Sequence, residues 1–232
     1  MTIAAVILAA TPASAHADTQ GTPAVRRLAD IAWAGGATPV VVVAHDDDGA
    51  VARALANAEV TVAEPAPREL GPVGQILHGI SVAAGLVADT DGVLVWPARM
   101  AWVDAETVTT LIAAHGMDRG AVLRPAYGGE PGWPALVPMS AVSTLAVLGP
   151  DRMPDDLLDD LAGLGIAVRA LESGDPGTIH DATTPRAALP PFDGPPEPAD
   201  GHTHEWGAAI ADEPDDVPPP APDRVPYPAP RG

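Results

Sequence analysis

Two uninterrupted apolar runs constrain this chain more than any other feature. Ile3 to Ala10 contains no polar residue, and Val40 to Val43 is four consecutive valines. Strands buried on both faces read as short continuous runs, whereas half-exposed strands alternate. Between the runs, Val25, Leu28, Ala29 and Ala32 recur at helical spacing. Thr22 stands at the cap position, Pro23 at the first helical position, and Gly35-Gly36 at the end. Strand, helix and strand in this order require a right-handed crossover in a parallel sheet.

The alternation continues. Asp46-Asp47-Asp48-Gly49 opens a short Ala-rich helix to Asn57, and Glu59 to Ala63 is a third strand. A helix runs from Gly71-Pro72 through Ile76, Leu77 and Ile80 to Val87, and Gly92 to Trp96 is a fourth strand. Asp104 caps a helix with Val108, Leu111, Ile112 and His115 on one face. Ala121 to Arg124 and Ala135 to Val137 are strands, helices follow at Ser140–Leu148 and Pro154–Leu161, and Ile166 to Leu171 closes the series. The predicted fold class is α/β, a three-layer α/β/α sandwich around a mostly parallel, Rossmann-like sheet.

The first run admits a second reading. Ala13-Ser14-Ala15 and Ala15-His16-Ala17 have the form of a leader-peptidase site, although no basic residue precedes the run. The strand reading is coupled to a cytoplasmic location; the leader reading makes the protein secreted.

Charge and composition exclude several functions. Against 31 acidic residues stand 12 basic ones, all of them Arg, for a net charge of -19. Such a chain repels a nucleic-acid backbone and an anionic membrane surface, so neither is expected as a partner. The absence of cysteine rules out disulfides, thiol catalysis and Cys-based metal sites. No apolar run approaches the ~18 residues of a membrane span. Residues 190–232 carry 13 of the 28 prolines and are acidic. They read as a disordered, polyproline-leaning tail open to a protein partner, behind a folded body at 1–189.

Several clusters have both a chemical and a plain reading. Asp46, Asp47 and Asp48 follow a strand end, where a cation or ribose could bind, and equally cap the next helix. Asp155, Asp156, Asp159 and Asp160 resemble a metal cluster on paper and a solvated acidic helix face in context. His202, His204 and Glu205 have metal-ligand spacing but fall in the tail. His16 is a loop histidine that could touch a ligand. Trp96 and Trp102 flank Arg99 and either wall a pocket for a planar base or pack in the core.

Four stretches, taken in order, resemble the MobA-like nucleotidyltransferases. Ile3 to Ala10 is similar to the family's opening strand into L-A-A-G, and Gly21-Thr22-Pro23 to its G-x-P-L-L segment. Gly71 to Ile80 is similar to G-P-L-A-G-I-L-x-G-L, and Val93 to Thr107 to v-l-v-x-P-x-D-M-P-x-v-D-x-E-T. Pro125 to Pro134 and Asp181 to Pro185 add weaker matches to P-x-y-x-G-x-x-G-H-P and D-x-D-T-P. The resemblance implies a nucleotide-diphospho-sugar transferase-like fold and Mg²⁺-dependent transfer of GMP or CMP to molybdopterin. It places the nucleotide pocket at Ala9, Ala10, Thr11, Gly71, Pro72 and Arg99, and makes Asp181 the catalytic and metal candidate.

The departures from the family pattern fall on the chemistry. The loop at 11–20 has Thr11 for the Gly, Ala13 and Ala15 for the Ser and Arg, and no Lys. Pro12 removes a donor, and Asp18 adds charge of the wrong sign. Arg99 replaces the metal-binding Asp of D-M-P and cannot ligate a cation. Thr183 replaces the second carboxylate of D-x-D-T-P, and Trp133 the His of G-H-P. Since phosphoryl-type transfer depends on positioning and charge neutralisation, the expected outcome is a catalytically degenerate member that retains weak nucleotide or anion binding. Arg99 either grips an anion or pairs with Asp181 or Asp104. The alternatives are an active transferase rebuilt on Arg99 and Asp181, with Mg²⁺ as cofactor, and an interaction protein acting through the tail.

Overall fold

The computed structural model describes residues 1–194. In chain order the elements are β1 (Thr2–Ala9), α1 (Pro12–Ala15), α2 (Ala24–Ala34), β2 (Val40–Ala44), α3 (Ala50–Ala54), β3 (Val60–Ala63) and α4 (Gly71–Leu86). There follow β4 (Thr90–Pro97), α5 (Ala105–Met117), β5 (Val122–Tyr127), β6 (Glu130–Pro131), β7 (Ala135–Pro138), α6 (Val142–Leu145), α7 (Pro154–Gly163) and β8 (Val168–Glu172). One eight-stranded sheet runs β3-β2-β1-β4-β7-β5, with β8 on the far side of β5 and the short β6 on the near side. Every pairing is parallel except those of β7 and β6.

The first apolar run is the middle of this sheet. β1 pairs in parallel with β2, Ala5 opposite Val40 and Leu8 opposite Val43. On its other side it pairs with β4, Val6 opposite Val95. Helices cover both faces, so Ala4, Ala5, Val6 and Ile7 are fully buried. α2 and α5 pack on one face and α4 on the other. α4 lies so close to β1 that a Cβ on Gly79 would stand 2.3 Å from Cγ1 of Val6. This packing explains why a glycine occupies the middle of an otherwise apolar helix, where it costs roughly 1 kcal/mol in propensity.

Local differences from the sequence expectation have physical causes. α2 starts at Ala24 with Pro23 as its N-cap and no side-chain cap bond. The Thr22 carbonyl instead accepts from the N–H and hydroxyl of Thr19, which turns the residue into the preceding loop. α3 stops short of Asn57, which adopts φ 62° and breaks the helix. α6 ends at Leu145 because the N–H groups of Val147 and Leu148 reach back only three residues. α1 and β6 were not expected from the sequence. Residues 190–194, placed in the tail by composition, run beside Gly174, whose carbonyl accepts from the Asp193 N–H at 3.1 Å. The rest of that tail lies outside the described residues, as do His202, His204 and Glu205. No helix among the described residues is long and apolar enough to cross a membrane.

One core residue carries a liability. His115 on α5 is fully buried, and neither ring nitrogen has a partner among the described residues. Burial lowers its pKa from the ordinary 6.5; Asp91 and Asp118 oppose that shift and Arg119 adds to it. The unfolded chain therefore takes up a proton where the folded one resists it, and stability falls as pH drops below the unfolded value. In urea titrations, His115→Leu is expected to flatten the loss of stability between neutral and mildly acid pH. An unchanged pH slope would clear His115. Gly79→Ala is expected to cost about 1–3 kcal/mol by overpacking against Val6, read as a lower urea midpoint.

Candidate functional site

In open α/β sheets, ligands bind beyond the C-terminal strand ends where the strand order reverses. Here that point lies between β1, which leads towards β2, and β4, which leads towards β7 and β5. A cleft of about 460 Å³ opens there, walled by Leu8, Ala10, Pro72, Pro97, Ala98 and Met153, with Thr11, Ser14, Gln75, Arg99 and Asp155 around them. Four residues assigned to a pocket from sequence, Ala10, Thr11, Pro72 and Arg99, therefore share one cavity. Ala9 lies in an adjoining recess of about 160 Å³ with His45 and Arg68. Gly71 lines neither recess. It adopts φ +58°, and a Cβ there would sit 1.9 Å from the Pro150 carbonyl oxygen, so it joins α4 to the turn before α7.

The loop after β1 is closed upon itself. Thr11 caps α1 in a reciprocal box: the Ser14 N–H donates to Thr11 Oγ1, and the Thr11 N–H donates to Ser14 Oγ, both at 3.1 Å. The Ala15 N–H donates to the Thr11 carbonyl and the His16 N–H to the Pro12 carbonyl. Pro12 has no N–H. Of residues 11–16, Ala13 alone has an amide without one of these bonds. A phosphate cradle needs several convergent free N–H groups, and this loop directs its own inwards. His16 is exposed.

Arg99, in the loop after β4, donates from Nη2 to Asp155 Oδ2 at 2.9 Å. The partner is thus neither Asp181 nor Asp104. Asp155 sits in the first turn of α7, and its other oxygen accepts from Trp133 Nε1 at 2.8 Å. Arg124 lies over the Trp133 ring at 5.6 Å and donates to the Gly132 and Pro131 carbonyls. A second recess of about 220 Å³ lies on this side, where Asp181 joins Arg99, Arg124, Asp155, Glu130 and Trp133. Arg99 and Asp155 line both cavities. Asp181 accepts from the N–H and hydroxyl of Thr183, which hold its carboxyl below the usual carboxylate range, with the Arg99 charge a smaller contribution.

The remaining candidates fall to their structural readings, with one correction. Asp46 accepts from the Val51 and Ala52 N–H groups and Asp48 from Ala50, so both serve α3. The acidic face of α7 is not merely solvated: Asp155 is engaged as above, and Asp160 pairs with Arg152. Trp96 and Trp102 are buried, donating to the Met100 and Thr184 carbonyls. Asp175, which the sequence did not single out, is buried and accepts from the Asp104 and Gly177 N–H groups and the Thr107 hydroxyl. It ties the segment after β8 to the start of α5. Burial raises its pKa against those three bonds. No group of three metal-ligating side chains occurs among the described residues.

A family model described as the MobA-like NTP transferase domain matches residues 13–164. Among solved structures, 4-diphosphocytidyl-2C-methyl-D-erythritol synthase superposes with TM-score 0.60 at 17% identity, covering 80% of this chain and 94% of that one. Rv0371C of Mycobacterium tuberculosis H37Rv, in complex with manganese, gives TM-score 0.59 at 17% identity, covering 74% and 87%. CMP:2-keto-3-deoxy-manno-octonic acid synthetase complexed with CTP gives 0.55 at 13% identity, covering 74% and 90%. At these identities the likeness is one of fold. No curated protein matches this chain in sequence.

The Arg99–Asp155 pair yields a direct test. Asp155→Asn keeps an acceptor for Trp133 but releases the guanidinium. Pyrophosphate affinity at low salt, measured calorimetrically, is then expected to rise about tenfold. Unchanged affinity would mean that Asp155 is not what occupies Arg99.

Proposed function

The chain belongs to the MobA-like NTP transferase domain family, and on that premise we propose that it is a catalytically silent member that keeps the cleft as a binding site. The observation that carries this reading is the closure of the loop at 11–16. A nucleoside triphosphate brings about four negative charges, and its transfer chemistry requires them to be neutralised and aligned. The loop offers neither free amides in number nor a cationic side chain.

The residues that remain do not fit the Mg²⁺ implied by the family. A divalent cation held against phosphates needs carboxylate oxygens. The position expected to supply one is Arg99, whose guanidinium repels a cation and is bound to Asp155. Asp181 spends one carboxylate oxygen on Thr183. No step is therefore assigned to a metal. The rebuilt-transferase alternative would require Arg99 to leave Asp155 and grip phosphate, with Asp181 as the one carboxylate of the pattern still in place.

The test is turnover. The full chain, incubated with CTP or GTP, molybdopterin and Mg²⁺, is expected to release no pyrophosphate above the protein-free blank. Release that disappears in Asp181→Ala would overturn the proposal and establish the rebuilt transferase.

A further inference from the structure

We infer that the cleft between β1 and β4 takes an uncharged, predominantly apolar small molecule. The inference rests on the catalytically silent reading and adds the ligand class to it.

The walls set the chemistry. Leu8, Ala10, Pro72, Pro97, Ala98 and Met153 present hydrocarbon and thioether. Each polar side chain at the cleft already has a protein partner. The Thr11 and Ser14 hydroxyls close the α1 capping box. Gln75 accepts from the Ala66 N–H and donates to the Ala66 carbonyl, both at 2.8 Å, which pairs its amide with the backbone of one residue. Arg99 and Asp155 neutralise one another, and the second oxygen of Asp155 is taken by Trp133.

A charged ligand entering here gives up hydration and meets an ion pair that is already neutral, so its lost hydration is not replaced by net opposite charge. An apolar ligand is favoured in proportion to the apolar surface it removes from water. The volume of about 460 Å³ falls in the range of small-molecule pockets. Met153, 55% exposed at the rim, has the unbranched, polarisable side chain that adapts to a ligand surface. The positive charge nearest the cleft's β2 side belongs to Arg68 in the adjoining recess, and an anionic ligand would be drawn there. A larger groove of about 870 Å³ against β3 and α4, lined by Leu70 and Leu77 among others, is a separate surface and must be distinguished in the test.

The probes are uncharged N-phenyl-1-naphthylamine and anionic 8-anilino-1-naphthalenesulfonate, followed by fluorescence with the full chain. The uncharged dye is expected to bind a single saturable site, at least about tenfold more tightly than the anionic one. Ala10→Trp, which fills the cleft from an exposed position, is expected to abolish that binding with the urea midpoint retained. Leu70→Glu, in the larger groove, is expected to leave it intact. Loss in Leu70→Glu but not in Ala10→Trp would overturn the inference, as would preference for the anionic dye abolished by Arg68→Ala, or displacement of the dye by CTP with Mg²⁺. The pyrophosphate assay runs alongside: turnover overturns the silent reading whatever the dye does, and a silent protein that ignores the uncharged dye overturns the ligand class alone.

Discussion

Everything in this molecule is hung on β1. It is hydrogen-bonded on both edges and covered on both faces, with Gly79 of α4 seated directly on Val6. β1 is also where the chain's two directions of travel across the sheet part. That enclosure fixes the ends of β1 and β4 relative to one another. The loops leaving them, with Thr11 on one and Arg99 on the other, face the same crevice although they are far apart in sequence. The position of the site is therefore a consequence of packing beneath it. Its chemistry is free to change without disturbing that frame.

The changes form a consistent set. A phosphate-handling site in this fold would need outward amides, positive charge and a metal-holding carboxylate. In this chain the amides are turned inwards by a Thr-Ser capping box, the chain has no lysine, and Arg99 stands where the resemblance implies a metal-binding carboxylate. Left alone, Arg99 would attract anions, but α7 supplies Asp155 in the right place to cancel it. Asp155 is in turn held by Trp133, itself the residue standing where the resemblance implies a histidine. Two substitutions at family positions thus meet through one acidic residue that belongs to neither motif.

The sequence made the frame legible because the frame is written locally. Continuous valine and alanine runs specify buried strands, Gly35-Gly36 stops a helix, and Asp104 and Asp46 cap as their spacing implies. Most elements fall within a residue or two of expectation. The absence of lysine, and Thr11 where the resemblance implies a glycine, also need no structure to be noticed. What was not legible depended on contacts across long sequence separations. Arg99 finds Asp155 rather than Asp181 or Asp104 because α7 returns its first turn to the strand ends, which no periodicity reveals. Asp175 was missed for the same reason: its three partners lie on two segments, and nothing in its neighbourhood marks it as buried. The capping box in the loop was hidden by a different cause. Four residues are too few for a periodic signal, and comparison with the family directed attention to what that loop lacks instead of what it forms.

The closed loop also bears on how the site answers to single substitutions. Replacing Pro12 would restore one amide, yet Thr11 and Ser14 would keep the turn locked. Replacing Thr11 by glycine would loosen the turn without adding a cation. A carboxylate at position 99 would face Asp155 as a like charge in place of the present ion pair. Each single replacement disturbs a local contact and leaves the others standing. The loop and the ion pair are thus self-supporting, each held by contacts that a single substitution at Pro12, Thr11 or Arg99 does not dissolve all at once.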